Sequence, residues 1–341
     1  VSAASSTTSE LRGAVLGLGM MGRHHARLLQ STAGVAFAGA VDPGGDVHGA
    51  VRDPGLVFAS LDALLAAGPL DFAIVAAPAE EHLPLAARLI EAGVHALVEK
   101  PLAATVEESR ELIRLSEGTG VRVAVGHVER CNPALLELRR RAQAGEVGDV
   151  FMIAAERQGP FPARIKDVGV VKDLGTHDLD LVRWIGGAPV LRVAAETQHR
   201  MGRAHEDLVL VTGRLRSGVA FSCSVDWLTP TKVRRVRVLG SDGMLVADQL
   251  TGDLTLYRNG DVESTWDAAR TLRGVSEGDM TRFAIARREP LLVQLETFCA
   301  YVRGDDDAGV VTLEEGLHAV QAAETVLLSA REGMTVRMED V

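Results

Sequence analysis

Short apolar runs alternate with helix-period stretches through the first third of the chain. Ala14–Leu16, Val35–Val41, Phe72–Ala76, Ala96–Val98 and Val121–Val125 read as strands. Met21–Gln30, Leu61–Ala67, His82–Ala92 and Val106–Glu117 read as helices between them. Strand and helix in turn predict an α/β, doubly wound parallel sheet with helices on both faces. Strands buried on both sides carry continuous apolar runs, such as FAIVAA at 72–77, and not a polar alternation.

Near residue 130 the pattern changes. Pro133–Ala144 reads as a helix ended by Gly145, and strands then dominate: Phe151–Arg157, Leu191–Thr197, Leu208–Leu215, Val219–Asp226, Val233–Leu239, Met244–Ala247 and Leu254–Arg258. Turn pairs such as Ser217-Gly218, Asp242-Gly243 and Asn259-Gly260 separate several of them, as in an antiparallel meander. Helices return at Leu291–Val302 and Leu313–Ala330, the latter with Leu313, Leu317, Val320 and Leu327 at helical spacing. The expected organisation is a disordered tail at 1–10, a first domain at 11–128 and a second at 129–341. The second carries a large, mostly antiparallel open sheet, and its last helix (313–330) packs back on the first domain.

Composition narrows the function classes. The 341 residues are 47% apolar and 24% charged, ordinary for a globular protein of two domains. A net charge of −10 argues against nucleic acid as the main ligand, because phosphate backbones need a basic surface. Cys131, Cys223 and Cys299 are odd in number and far apart, so they read as reduced, buried thiols. The first ten residues lack the basic start and apolar core of a signal peptide, and no apolar run reaches membrane-spanning length. A cytoplasmic, non-membrane protein is expected. Only Lys100, Lys166, Lys172 and Lys232 offer an amine able to lose its proton.

Gly17, Gly19 and Gly22, with Met20 and Met21 between the last two, form G-x-G-x-x-G at a strand-to-helix turn. The first glycine permits the tight turn, the second lets a pyrophosphate approach, and the third lets helix and strand pack closely. The helix amino terminus then presents N–H groups to the phosphates. Asp42 ends the next strand, where a carboxylate accepts hydrogen bonds from ribose hydroxyls. The cofactor expected is NAD. NADP would require a cation such as Arg52 to offset repulsion between Asp42 and a 2′-phosphate. Ala77 and Pro78 follow one strand, and Glu99-Lys100-Pro101 follows another. Both therefore stand at strand carboxyl ends, where ligands of such sheets bind. His82 and His127 border the same region.

Asp173, His177 and Asp180 are spaced i, i+4 and i+7, which on a regular helix places them on one face with Trp184. A histidine so placed accepts a proton from a hydroxyl near neutral pH, with the carboxylates orienting its ring. The same residues read equally as a helix cap and a hydrogen-bonded core histidine. A metal site lacks a third strong ligand nearby, so none is expected.

Taken together, these motifs resemble the Gfo/Idh/MocA family. The glycine loop at 17–22, Glu99-Lys100-Pro101 and Asp173-x-Gly175-x-His177-x-x-Asp180 carry the resemblance, which runs from about Leu11 to the end. It implies a Rossmann domain at 11–128 and an α/β domain whose large sheet takes substrate on one side and often an oligomer interface on the other. It implies hydride transfer between a sugar or polyol carbon and nicotinamide, with Lys100, Asp173 and His177 as the catalytic group. A homodimer or homotetramer is the expected assembly.

The segments Gly126-His127-Val128-Glu129-Arg130-Cys131-Asn132-Pro133 and 157–170 resemble the branch that contains UDP-N-acetylglucosamine 3-dehydrogenases. Val170-Val171-Lys172 stands where the commoner family pattern has a glycine pair, a departure from inositol and glucose enzymes. This resemblance implies oxidation at C3 of a UDP-N-acetylhexosamine. His127, Arg130, Arg157, Arg164 and Lys166 are the expected substrate contacts, the cations holding the diphosphate. Two alternatives stay open: an inositol, free-sugar or deoxy-3-ketosugar dehydrogenase, and a non-catalytic regulator that binds NAD or sugar.

Overall fold

The computed structural model describes residues 10–162, 165, 168–260 and 276–341. Arg164, Lys166 and all but the last residue of the expected tail lie outside them. The chain divides into two compact units, residues 1–127 with 291–320 and residues 128–290 with 321–341.

The first unit is a six-stranded parallel sheet. Its strands are β1 (Leu11–Leu16), β2 (Val35–Val41), β3 (Val57–Phe58), β4 (Phe72–Val75), β5 (His95–Glu99) and β6 (Val123–Gly126), in the order β3-β2-β1-β4-β5-β6. Helices α1 (Met20–Leu29), α2 (Leu61–Ala67), α3 (His82–Glu91) and α4 (Val106–Ser116) connect them. Ser60 and Thr105 cap α2 and α4, each hydroxyl accepting the backbone N–H three residues on. All four residues of β4 are buried, the reason its run is wholly apolar. The order reverses between β1 and β4, so the carboxyl ends of these two strands flank the place where ligands of this sheet type bind.

Helix α7 (Pro290–Val302) and the start of α8 (Leu313–Glu332) group with this unit. The reasons are local. Phe298 packs edge-on against Phe72 with ring centroids 5.6 Å apart. Arg303 donates to the Gly34 carbonyl at 2.9 Å, and Val125 N–H donates to Val311 O at 2.9 Å. Leu313 and Val320 join the first core, whereas Ala322, Ala323 and Val326 join the second.

The second unit holds a mixed, mostly antiparallel sheet. Among the described residues it has nine strands: β7 (Val150–Pro160), β8 (Val190–Gln198), β9 (Leu208–Leu215), β10 (Ala220–Asp226), β11 (Leu228–Gly240), β12 (Gly243–Asp248), β13 (Asp253–Gly260), β14 (Ser276–Phe283) and β15 (Val336–Arg337). Their order is β14-β13-β12-β11-β7-β10-β9-β8-β15, with only β7 and β10 parallel. Helices α5 (Pro133–Gln143) and α6 (Thr176–Gly186) bury Leu135, Leu138, Leu181 and Ile185 in its core. Val209, Val211, Val236, Val238, Leu254 and Leu256 point to that core, and the intervening Leu210, Leu239 and Tyr257 stand on the opposite, exposed face. No helix among the described residues is long and apolar enough to cross a membrane.

Candidate active site

In the first unit, β1 runs into the glycine turn. Gly17 has φ +93°, a conformation that excludes most side chains. A Cβ on Gly22 would lie 1.7 Å from the Gly17 carbonyl oxygen, so α1 can leave the turn only with glycine there. Gly19 faces open space, with nothing within 4 Å of where its Cβ would be. It heads α1 without a side-chain cap or an acidic residue in the first turn. The N–H groups of that turn therefore stay available to an anion, and the empty side-chain position admits a phosphate. These residues fit a dinucleotide.

Asp42 has two duties. Its Oδ2 accepts the Leu18 N–H at 2.8 Å and its Oδ1 accepts the Gly44 N–H at 2.8 Å. The carboxylate expected to meet the ribose thus also holds the glycine turn. Charge-assisted bonds of this kind contribute about 1.5–3 kcal/mol. Asp42→Asn keeps one acceptor oxygen but no charge. It is expected to weaken NADH about tenfold and to narrow the NADH-over-NADPH preference, as measured by fluorescence titration with both cofactors.

Two of the expected cofactor contacts face into the protein. Glu99 is buried, and its Oε1 lies 2.7 Å from His25 Nε2, which is fully buried on α1. Its Oε2 accepts the Lys100 N–H at 3.3 Å. His82 is buried with Nδ1 2.8 Å from Pro101 O and Nε2 3.0 Å from Ala77 O. Both residues tie strand-end segments together, His82 the Ala77 and Pro101 backbones, Glu99 the end of β5 to α1. Their polar atoms are engaged by protein groups. His25 is the partner that fixes Glu99. Lys100 emerges half-buried from the end of β5, and His127 is buried just after β6.

In the second unit, Asp173 and His177 do not lie on one regular helix. Val171–Gly175 form a π-turn, closed by the Thr176 N–H to Val171 O, and α6 begins only at Thr176. Such a turn holds an extra residue and often marks functional positions. The widened turn breaks the single-face reading. Asp173 and His177 are half-buried, whereas Asp180 and Asp178 are buried.

A neighbouring loop fixes the start of the π-turn. Glu206 is buried, its Oε1 accepts the Val171 N–H at 3.0 Å, and its backbone oxygen accepts the Val170 N–H at 3.1 Å. Gly169 leaves room for this carboxylate, since a Cβ there would come within 2.0 Å of it. Arg203 donates to Val168 O at 2.9 Å while its guanidinium lies over Phe161 and Trp227.

The buried aspartates take the arginines expected to hold a diphosphate. Arg130 makes a two-pronged pair with Asp180, Nε to Oδ2 at 2.8 Å and Nη2 to Oδ1 at 2.5 Å. Arg157 donates through Nε to Asp178 at 3.0 Å, through Nη1 to Glu129 at 2.8 Å and through Nη2 to Gln249 at 3.1 Å. Burial opposes the Arg157 charge, but Asp178 and Glu129 outweigh it, so its pKa is raised. Burial also pushes the Asp178 carboxyl above its ordinary range, with Arg157 only partly offsetting it. Arg130 and Arg157 therefore brace the second unit from inside, their forks engaged by internal carboxylates and Gln249. Burial raises Cys131 to about 11, the mark of an unreactive thiol.

Comparison with known proteins agrees with this architecture. Residues 11–127 match the model described as oxidoreductase family, NAD-binding Rossmann fold, and residues 135–246 match the GFO/IDH/MocA C-terminal domain. The chain is 31% identical over 296 residues to UDP-N-acetylglucosamine 3-dehydrogenase of Acidithiobacillus ferrooxidans, covering 84% of this chain and 87% of that protein. It is 32% identical over 200 residues to inositol 2-dehydrogenase 2 of Saccharopolyspora erythraea, covering 57% and 59%. The solved structure of the Acidithiobacillus ferrooxidans 3-dehydrogenase superposes with a TM-score of 0.80 at 27% identity, over 94% of this chain and 98% of that one. The chain belongs to the Gfo/Idh/MocA family of NAD-binding oxidoreductases.

Proposed function

We propose that this NAD-dependent sugar oxidoreductase acts at C3 of a UDP-linked N-acetylhexosamine, with Lys100, Asp173 and His177 as its catalytic group. The observation that carries the substrate is the 31% identity to a UDP-N-acetylglucosamine 3-dehydrogenase across most of both chains. Asp42 and the Gly17–Gly22 turn hold the cofactor, which when bound exchanges a hydride with the substrate carbon. The His177 imidazole takes the proton of the reacting hydroxyl. Asp173, fixed by the π-turn and through it by Glu206, orients that imidazole. The Lys100 ammonium donates a hydrogen bond to the same oxygen and stabilises the negative charge that grows there.

One observation favours the inositol or free-sugar alternative: Arg130 and Arg157 are filled by internal carboxylates. A substrate panel separates the readings. With NAD and UDP-N-acetylglucosamine, UDP-N-acetylgalactosamine, myo-inositol, scyllo-inositol or glucose, NADH absorbance is expected to rise with a UDP-sugar. Faster turnover of an inositol would overturn the proposal.

A further inference from the structure

With those two arginines accounted for, the inner face of β11 holds cations that no carboxylate neutralises. Among the described residues neither Lys232 nor Arg234 makes an ion pair. Arg234 faces the core side of the sheet, in step with Val236 and Val238 and directly across from Arg157 in register. Its Nη1 donates to Gln158 O at 2.6 Å and to Val233 O at 2.8 Å. Those two bonds anchor one arm of the guanidinium and leave the Nε and Nη2 edge as a preset fork. Lys232 is exposed and lies over the same spot on β7, where Gly159 carries no side chain. A Cβ on Gly159 would sit 3.3 Å from Lys232 Cγ and 4.0 Å from Arg234 Nη1, so the glycine lets both cations lie close against β7.

The geometry points to Lys232 and Arg234, over Gly159, as an anion-binding pair that takes the diphosphate of the substrate. This rests on the nucleotide-sugar reading above. A half-buried guanidinium beside another arginine is a poorly compensated charge. Burial and, after it, repulsion from Arg157 push the Arg234 pKa down, while Asp178, Glu129 and Asp173 only partly restore it. A bound anion supplies the missing counter-charge, and the planar fork gives it two parallel hydrogen bonds. Lys232 adds a mobile point charge at the rim. The pair uses residues outside the 157–170 segment from which the diphosphate contacts were expected. No spacing rule links β11 to that segment, and only strand pairing does.

The test uses full-length protein saturated with NADH, so that the glycine turn is already filled. Isothermal titration with UDP and with inorganic pyrophosphate is compared for wild type, Lys232→Met, Arg234→Gln and Arg234→Lys. Both anions are expected to bind wild type. Arg234→Gln is expected to weaken them at least tenfold and Lys232→Met about threefold, with Arg234→Lys in between. The Kd for NADH stays unchanged, and KM for the UDP-sugar rises more than kcat falls. Lys232 is exposed and its variant cannot fail through folding. Variants that bind both anions like wild type overturn the pair while leaving a UDP-sugar turnover, and so the proposed function, intact. Pyrophosphate binding lost in the variants of a protein that ignores UDP-sugars supports the anion pair and overturns the nucleotide-sugar reading. A wild type that binds neither anion overturns the pair.

Discussion

Replacing His177 with Ala is expected to lower kcat by about a hundred- to ten-thousandfold, the usual contribution of a positioned general base. The imidazole is the group assigned to remove the hydroxyl proton, and no neighbouring neutral base stands at its position on α6. NADH affinity should stay within about twofold, because the cofactor turn, Asp42 and the His25–Glu99 pair lie in the first unit. Lys100→Ala is expected to cost a similar factor through loss of charge stabilisation at the reacting oxygen. The double variant should be little slower than either single one, since groups that act on one oxygen as a unit are not additive. Stopped-flow single turnovers with a UDP-sugar measure all three. Wild-type turnover in either single variant would remove that residue from the catalytic group.

The second large effect is on stability. Arg157→Ala removes the shared partner of Asp178 and Glu129 and leaves Asp178 charged or protonated in a fully buried place. Breaking a buried pair from one side costs about 3–5 kcal/mol, because the remaining charge loses its counter-ion and has no water to replace it. Urea denaturation followed by tryptophan fluorescence is expected to show a loss of that size. Replacing both members with apolar residues, Arg157→Met with Asp178→Leu, should recover most of it. A single variant as stable as wild type would mean that the network is not a brace. The distinction matters for function, since Arg157 would otherwise be read as a ligand for substrate.

That ambiguity shows where the chain's own pattern stops informing. The parallel sheet was legible because β4, β6 and the carboxyl-terminal parts of β1, β2 and β5 are buried, which leaves short, largely apolar runs. The helix Leu61–Ala67 and strands Val35–Val41 and Leu208–Leu215 match the sequence reading end to end. The short strands β3 and β15 were not legible, since two residues carry no period. Nor was β14, whose sequence SEGDMTRF alternates too weakly to separate from a loop. In the site, residue type and spacing single out Asp42, Lys100, Asp173 and His177 as candidates. Partnership did not follow from spacing. Glu99 meets His25 across 74 positions, and Arg130 meets Asp180 across 50. An arginine that binds phosphate and one that braces a core are the same letter, and only the packed fold assigns its counter-ion.

The π-turn at Val171–Gly175 bears on any attempt to transplant this chemistry. An idealised helix repeats every 3.6 residues and has no room for the surplus residue. Copying Asp173 and His177 onto such a scaffold at the same separation would keep them on one face but change the angle between them and their place relative to the rest of α6. The irregularity has to be grafted along with the pair, together with the Glu206 carboxylate that holds its first coil in place.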